Sequence, residues 1–134
     1  MGPAFESQTA HQPKVNIILI CLGASLGALC RFYLSGLFSN TDNSDIPIGI
    51  LIVNVVGCFL LGLLYNLIDS DLEKYLTPFL FVGFLGAFTT FSAFSKESFE
   101  LIATGNIFAA SVYILISVFT CLGATFLGIY LTKS

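Results

Sequence analysis

Long apolar segments alternate with short polar ones along the chain after a polar beginning. A helix needs about 20 consecutive apolar residues to cross the hydrocarbon core of a bilayer. The pattern predicts spans of that length at residues 15–38, 47–68, 77–102 and 107–131, with a short charged loop at residues 69–75. Residues 1–14 predict a disordered tail, and residues 15–134 predict a single domain of four transmembrane helices.

The composition assigns the chain to the integral membrane proteins. Of its 134 residues, 56% are hydrophobic and only 10% are charged, whereas soluble domains carry roughly 25% charged residues. The apolar runs are too long for the strands of a membrane barrel, which need about 10 residues each. The predicted fold class is therefore all-α.

Residues that support catalysis or a conventional metal site are scarce. The single histidine, His11, lies in the predicted tail, and the four cysteines lie within apolar segments without a CxxC pair. The sequence has no basic patch for nucleic acid and no acidic residue in the middle of a predicted span. We therefore expect a protein that is not an enzyme. A proton-coupled exchanger is also disfavoured, because no carboxylate lies mid-span to carry the proton.

The third span contains the residues least compatible with a continuous helix. Thr89 and Thr90 are adjacent, and β-branched side chains with competing hydroxyls are poor helix formers. Gly86 adds backbone freedom nearby. We predict a helix broken near its centre, where freed carbonyls and helix ends often bind ions. The residues leave a second interpretation open, an ordinary helix whose hydroxyls bond back to the preceding turn.

Few polar side chains lie at membrane depth outside this segment. Asn54 either joins helices by hydrogen bonds or donates its amide N–H groups to an anion. Tyr113, Ser117 and Cys121 recur every four residues and share one face of the fourth span, as a packing face or as a polar track along a pore. Arg31 either snorkels to the membrane surface or lines an aqueous vestibule that attracts anions.

Phenylalanine is abundant, with 14 residues, and most of these rings are expected to face lipid or other helices. Phe91 and Phe94 differ because they lie within the hydroxyl-rich segment of the predicted break. The edge of an aromatic ring is positive, so ring edges, an amide and hydroxyls together can hold a small anion without a full positive charge. Such binding suits conduction, which requires the ion to leave as well as to enter.

Basic residues are divided almost evenly between the two sides of the membrane. Lys14, Lys74 and Lys133 fall on one side, and Lys96 and Arg31 on the other. With so weak a positive-inside signal, the chain is predicted to insert in both orientations and to pair as an antiparallel, dual-topology dimer. The four helices of one chain also enclose little space for a pore, which favours assembly with a further copy.

Three motifs, in this order and at the spacing of four spans, resemble the CrcB/Fluc family of fluoride channels. They are GASLGALCRF at residues 23–32, GILIVNVVGC at residues 49–58 and GFLGAFTTFSAFS at residues 83–95. The resemblance extends over nearly the whole chain after the tail. It implies passive export of cytoplasmic fluoride through two narrow pores of an antiparallel dimer in the cell membrane, which gives fluoride resistance.

The resemblance also implies roles for particular residues. Phe91 and Phe94 would present their ring edges to the ion. Asn54, Tyr113 and Ser117 would line the same pore as hydrogen-bonding groups.

One cofactor is implied by the resemblance, a structural Na⁺ ion at the centre of the dimer. It would be held by the backbone carbonyls of Gly86 and Thr89 from both subunits. The sequence departs from the family at Ile50, Ala93 and Cys121, where hydroxyl residues are common, so part of the polar track would be missing or rerouted.

Other functions share some of these features. A small dual-topology multidrug transporter has the same size and charge balance, but it normally needs a membrane-embedded acid. A scaffold without transport would need only the helix-packing motif around Gly23 and Gly27. The chain is also compatible with one subunit of a heterodimeric fluoride channel, although it keeps both phenylalanines and the asparagine.

Overall fold

The structure, a computed structural model, describes residues 13–39, 46–68 and 70–133. Within these ranges it contains four helices long and apolar enough to cross a membrane. These spans are Lys14–Phe38, Ile48–Leu67, Leu72–Ala103 and Ile107–Leu131. The predicted tail lies outside the described residues except for Pro13 and Lys14, which are already helical.

The first two spans are continuous helices, α1 (Pro13–Ser39) and α2 (Ile48–Leu67). Their bounds agree with the predicted spans to within two residues. Pro47 is extended just before α2, with ψ at 100°, and its missing N–H costs nothing where helical N–H groups would be unpaired anyway. Large apolar side chains such as Phe32 are exposed on the outer surface, as expected for a helix that faces lipid.

The third span begins earlier than predicted. Residues 70–75, expected to form part of a charged loop, lie in helix α3 (Ser70–Leu76), which continues into a nine-residue π-helix (Thr77–Leu85). The loop prediction is wrong here because leucine, glutamate and lysine are good helix formers. The π-helix has wider turns closed by bonds from residue i+5, and Gly86 N donates to Phe81 O in this way.

The predicted break in the third span is confirmed. A short helix, α4 (Gly86–Phe88), is followed by two extended residues, and the chain then resumes as α5 (Phe91–Ala103). A turn with φ of +82° at Gly105 leads into the fourth span, α6 (Ile107–Leu131), whose bounds match the prediction.

Glycines allow the helices to approach closely. α1 packs mainly against the π-helix, and α2 packs mainly against α6. Gly23 and Gly27 of α1 lie directly against π-helix backbone, and a Cβ added to Gly83 from the other side would lie 2.7 Å from the Ile20 carbonyl oxygen. The helix-packing interpretation of the Gly23–Gly27 motif therefore holds.

The α2–α6 crossing provides a stability prediction. A Cβ at Gly128 would lie 2.6 Å from Phe59 O and 2.7 Å from Leu63 N, whereas a Cβ at Gly123 of the same helix would meet nothing within 4 Å. We expect Gly128→Ala to lower the free energy of unfolding by about 1–3 kcal/mol through overpacking. Gly123→Ala is the control and should be neutral or stabilising, because alanine favours helix. Thermal unfolding in detergent measures the stability of both variants. Equal unfolding midpoints would contradict the close contact of α2 and α6 at Gly128.

Candidate functional site

The break in the third span is held open by an amide from the second span. Thr89 (φ −76°, ψ 150°) and Thr90 (φ −149°, ψ 117°) are both extended. Asn54 Oδ1 accepts from Thr90 N at 2.8 Å, and Asn54 Nδ2 donates to Thr90 O at 3.2 Å. The side chain thus pairs with both backbone groups of Thr90, as a neighbouring strand would, and satisfies polar groups that the helix has released.

The two threonine hydroxyls close the helix ends on either side of the break. Thr89 Oγ1 donates to Leu85 O at 2.8 Å, so the bond to the preceding turn, which the alternative interpretation required, coexists with the break. Thr90 Oγ1 accepts from Ala93 N at 3.2 Å and caps α5. It also lies 3.0 Å from Ser92 Oγ.

The break also diverts the donors that two backbone carbonyls would use in a continuous helix. Gly86 O would accept from Thr90 N, but that group donates to Asn54. Thr89 O would accept from Ala93 N, but that group donates to Thr90 Oγ1. Both carbonyls named for the cation have therefore lost their helical donors.

Three aromatic rings extend from the break along the bundle. The Phe91 and Phe94 ring centroids are 5.3 Å apart with planes tilted by 44°. The Phe94 and Tyr113 centroids are 5.5 Å apart with planes tilted by 36°. Tyr113 is completely buried, whereas Phe91 is 77% exposed. Both phenylalanines are thus brought to the site, and the three rings form a ladder from the open surface at Phe91 through Phe94 to the buried Tyr113.

The carboxylate of Glu97, near the end of the third span, belongs to the same ladder. Tyr113 Oη donates to Glu97 Oε2 at 2.5 Å, and Glu97 is half-buried. Glu97 lies two turns after the break within α5, and its spacing from Phe94 and Leu101 on the inner face was the available signal. Glu97 was not predicted as a site residue, because two adjacent charged residues, Lys96 and Glu97, look like the end of the apolar segment.

Ser117, one turn beyond Tyr113 on α6, is buried and its Oγ has no hydrogen-bond partner within the described part of the chain. An unpaired buried hydroxyl is costly, by about 1–3 kcal/mol. The cost is offset if a ligand accepts a hydrogen bond from this hydroxyl. Ser117 is therefore a donor available to a ligand.

These groups meet in a cavity of about 240 Å³. Its wall combines amide, hydroxyl, thiol and phenyl groups from α2, the break, α5 and α6. The lining residues are Asn54, Cys58, Thr89, Thr90, Phe91, Phe94, Ser117, Val118 and Cys121. None of them is acidic or basic, so the cavity offers neutral donors rather than a fixed charge.

Several residues named from the sequence lie outside this wall. Tyr113 reaches it only through contact with Phe94. Arg31 is half-buried on α1 and does not line the cavity. Ile50 and Ala93, which stand where hydroxyl residues were expected, are also absent from the lining, whereas Cys121 is part of it. Of the three departures, only the thiol changes the chemistry of the cavity.

Comparison with known proteins places the chain in a family. Residues 18–129 match the family model described as CrcB-like protein, Camphor Resistance (CrcB). Relatives named fluoride-specific ion channel FluC include one from Geotalea daltonii, 43% identical over 116 residues, or 85% of this chain and 94% of the relative. Another, from Geobacter sp. strain M21, is 38% identical over 121 residues, or 89% of this chain and 98% of the relative.

A third relative with the same name, from Coxiella burnetii, is 38% identical over 122 residues, covering 89% of this chain and 98% of its own length. The family match over residues 18–129 covers the second and third spans, the break and most of the first and fourth spans. The chain therefore belongs to the CrcB family.

Proposed function

We propose that this chain forms a fluoride-selective channel through which cytoplasmic fluoride leaves the cell passively. Membership of the CrcB family and the names of the three relatives support this function. The observation that carries it is the uncharged cavity, where the buried, unpaired Ser117 hydroxyl shares a wall with the Asn54 amide and the rings of Phe91 and Phe94. The protein is a channel and not an enzyme.

The chemistry of the wall fits a small, strongly hydrated anion. Fluoride must exchange its water shell for donors inside the membrane, and a hydroxyl, an amide N–H and positive ring edges supply them. Asn54 uses one of its two Nδ2 protons for Thr90 O, which leaves the other for a guest. A fixed positive charge would bind the anion too tightly to release it, whereas neutral donors allow conduction.

Efflux from liposomes that contain only this purified chain tests the function. We expect rapid fluoride efflux and no chloride efflux above that of protein-free liposomes. Equal rates for the two anions would reject a fluoride-selective channel. Fluoride efflux that appears only when an unlike homologous subunit is added would instead establish the heterodimeric arrangement.

We infer that two copies pair in antiparallel orientation. Phe91 is 77% exposed, Gly86 is exposed as well, and both lie at the break, so the site is open on the side where a second copy would cover it. The nearly even division of Lys and Arg favours insertion in both orientations. The site proposed for each pore is completed by the partner in this arrangement.

Reporter fusions test the dual topology. Two fusions at the C-terminus, one active only in the cytoplasm and one active only outside it, should both be active at comparable levels. Adding lysines next to the C-terminus should shift activity towards the cytoplasmic reporter, because basic residues near a span end are retained in the cytoplasm. Activity of one reporter alone in the unmodified chain would contradict dual insertion.

A structural Na⁺ ion is part of the proposal. The carbonyls of Gly86 and Thr89 fit a hard cation, because oxygen ligands suit such ions and both carbonyls have lost their helical donors. The described residues contain no group of three or more His, Cys, Asp or Glu, so backbone oxygens are the suitable ligands. We expect fluoride efflux to fall when N-methylglucamine replaces Na⁺ on both sides.

The proposed location is the plasma or inner membrane, where fluoride export would protect the cell. The multidrug-transporter alternative is not favoured by the comparisons. Glu97 is absent from the cavity lining and is engaged by Tyr113 Oη, so it is not presented to a cationic drug.

A further inference from the structure

Two thiols from different helices lie in the wall of the anion cavity. Cys58 is on α2 and Cys121 is on α6, both are half-buried, and both line the cavity. Because both thiols line this one cavity, a single bound ion can reach both of them. The remaining cysteines, Cys21 and Cys30, are exposed on α1 and lie outside the cavity wall.

The backbone brings the two cysteines to neighbouring positions on α2 and α6. The Thr125 hydroxyl lies 3.2 Å from Cys58 O and 3.1 Å from Cys121 O, and it is shared between these carbonyls. One turn away, Gly62 lies directly against the α6 backbone at Thr125. The helices are therefore in close contact at this level, and the spacing of the thiols is set by helix packing rather than by a loop.

The number of ligands limits the ions that such a pair can take. Zinc in structural sites needs four ligands, and no third Cys, His, Asp or Glu joins the pair within the described residues. Soft ions prefer thiolates, and Hg(II), Ag(I) and Cu(I) form stable complexes with only two of them. The cavity of about 240 Å³ that both cysteines line has room for such an ion.

We propose that Cys58 and Cys121 together bind a soft, two-coordinate metal ion, and that the bound ion closes the cavity to anions. Each thiol loses its proton to solvent and forms one sulfur–metal bond, so that one Hg(II) replaces two protons with no change in oxidation state. The site itself stands independently of the fluoride-channel proposal, whereas closure of the cavity rests on it.

Binding is tested with Hg(II) in chloride-free buffer, using the Cys21→Ser/Cys30→Ser chain as the background. This chain should retain one Hg(II) per chain by mass spectrometry, and both remaining thiols should lose reactivity towards N-ethylmaleimide together. Adding Cys58→Ser or Cys121→Ser leaves a single thiol. The monothiol N-acetylcysteine should then remove the metal at a concentration at least about 100-fold lower, because the chelate advantage is lost.

The two single-thiol chains serve as independent controls, so failure of one to fold leaves the comparison intact. Removal of Hg(II) at the same competitor concentration from the two-thiol and single-thiol chains would overturn the shared site.

Closure is tested in liposomes, with the efflux of each variant divided by its own rate without metal. In the Cys21→Ser/Cys30→Ser chain, Hg(II) with N-acetylcysteine should lower fluoride efflux at least tenfold, and excess dithiothreitol should restore it. The single-thiol chains should keep their own rates. Full efflux with Hg(II) bound would overturn closure, whereas absence of efflux before metal is added would reject the channel function and leave the binding result standing.

Discussion

Replacing Phe94 with isoleucine is expected to reduce fluoride efflux by about 30-fold, and Phe91→Ile should have an effect of similar size. Both rings line the cavity and lie 5.3 Å apart, and isoleucine keeps apolar bulk but has no positive ring edge. A desolvated cation over an aromatic ring is worth about 2 kcal/mol, and we take the same size for an anion at the positive ring edge. If losing this contact raises the barrier to conduction by that energy, the rate falls by about 30-fold.

The measurement is fluoride efflux from liposomes with equal amounts of reconstituted protein. Phe108→Ile is the matched control, because Phe108 is 81% exposed at the start of α6 and lies outside the cavity wall; it should leave the rate unchanged. The proposed role of the rings would be rejected if Phe91→Ile and Phe94→Ile conducted as fast as Phe108→Ile.

Replacing Asn54 with alanine is expected to lower the free energy of unfolding by about 2–4 kcal/mol and to abolish most fluoride efflux. The substitution leaves Thr90 N and Thr90 O without the two bonds of 2.8 and 3.2 Å that hold the break open. Each buried backbone group left unpaired costs about 1–3 kcal/mol. The cavity also loses an amide donor, so stability and conduction should decline together.

Thermal unfolding in detergent and liposome efflux are the two readouts. Asn66→Ala is the matched control on the same helix: Asn66 also donates to α6, with Nδ2 3.2 Å from Ile129 O, but it is exposed near the end of the span. Asn66→Ala should lower the free energy of unfolding by much less than Asn54→Ala does. Wild-type stability and efflux in Asn54→Ala would show that the amide neither holds the break nor serves the anion.

Much of the fold could be predicted from local pattern. Apolar length set the bounds of α1, α2 and α6 to within two residues, because in a bilayer each helix satisfies its own backbone and needs no partner to exist. The adjacent threonines at Thr89 and Thr90 located the break. The same pattern failed at residues 70–75, where charge suggested a loop although the residues favour helix.

The candidate site was predicted only in part. Asn54, Phe91, Phe94 and Ser117 were named from residue type, and the structure brings them to one cavity. Glu97 was missed because charge at the end of an apolar run looked like the membrane surface. Its bond to Tyr113 depends on the angle between α5 and α6, which no local pattern contains.

The sequence by itself determined that the chain is a four-span membrane protein with a broken third helix, since hydrophobic length and backbone preference are properties of neighbouring residues. The tertiary structure decided which groups surround the break. Packing of α2 against the break directs Asn54 at Thr90 and diverts the donor of Gly86 O, and packing of α6 against α2 and α5 brings Ser117 into the cavity wall. These outcomes depend on distances between helices, which close glycine contacts set and which residue order alone does not specify.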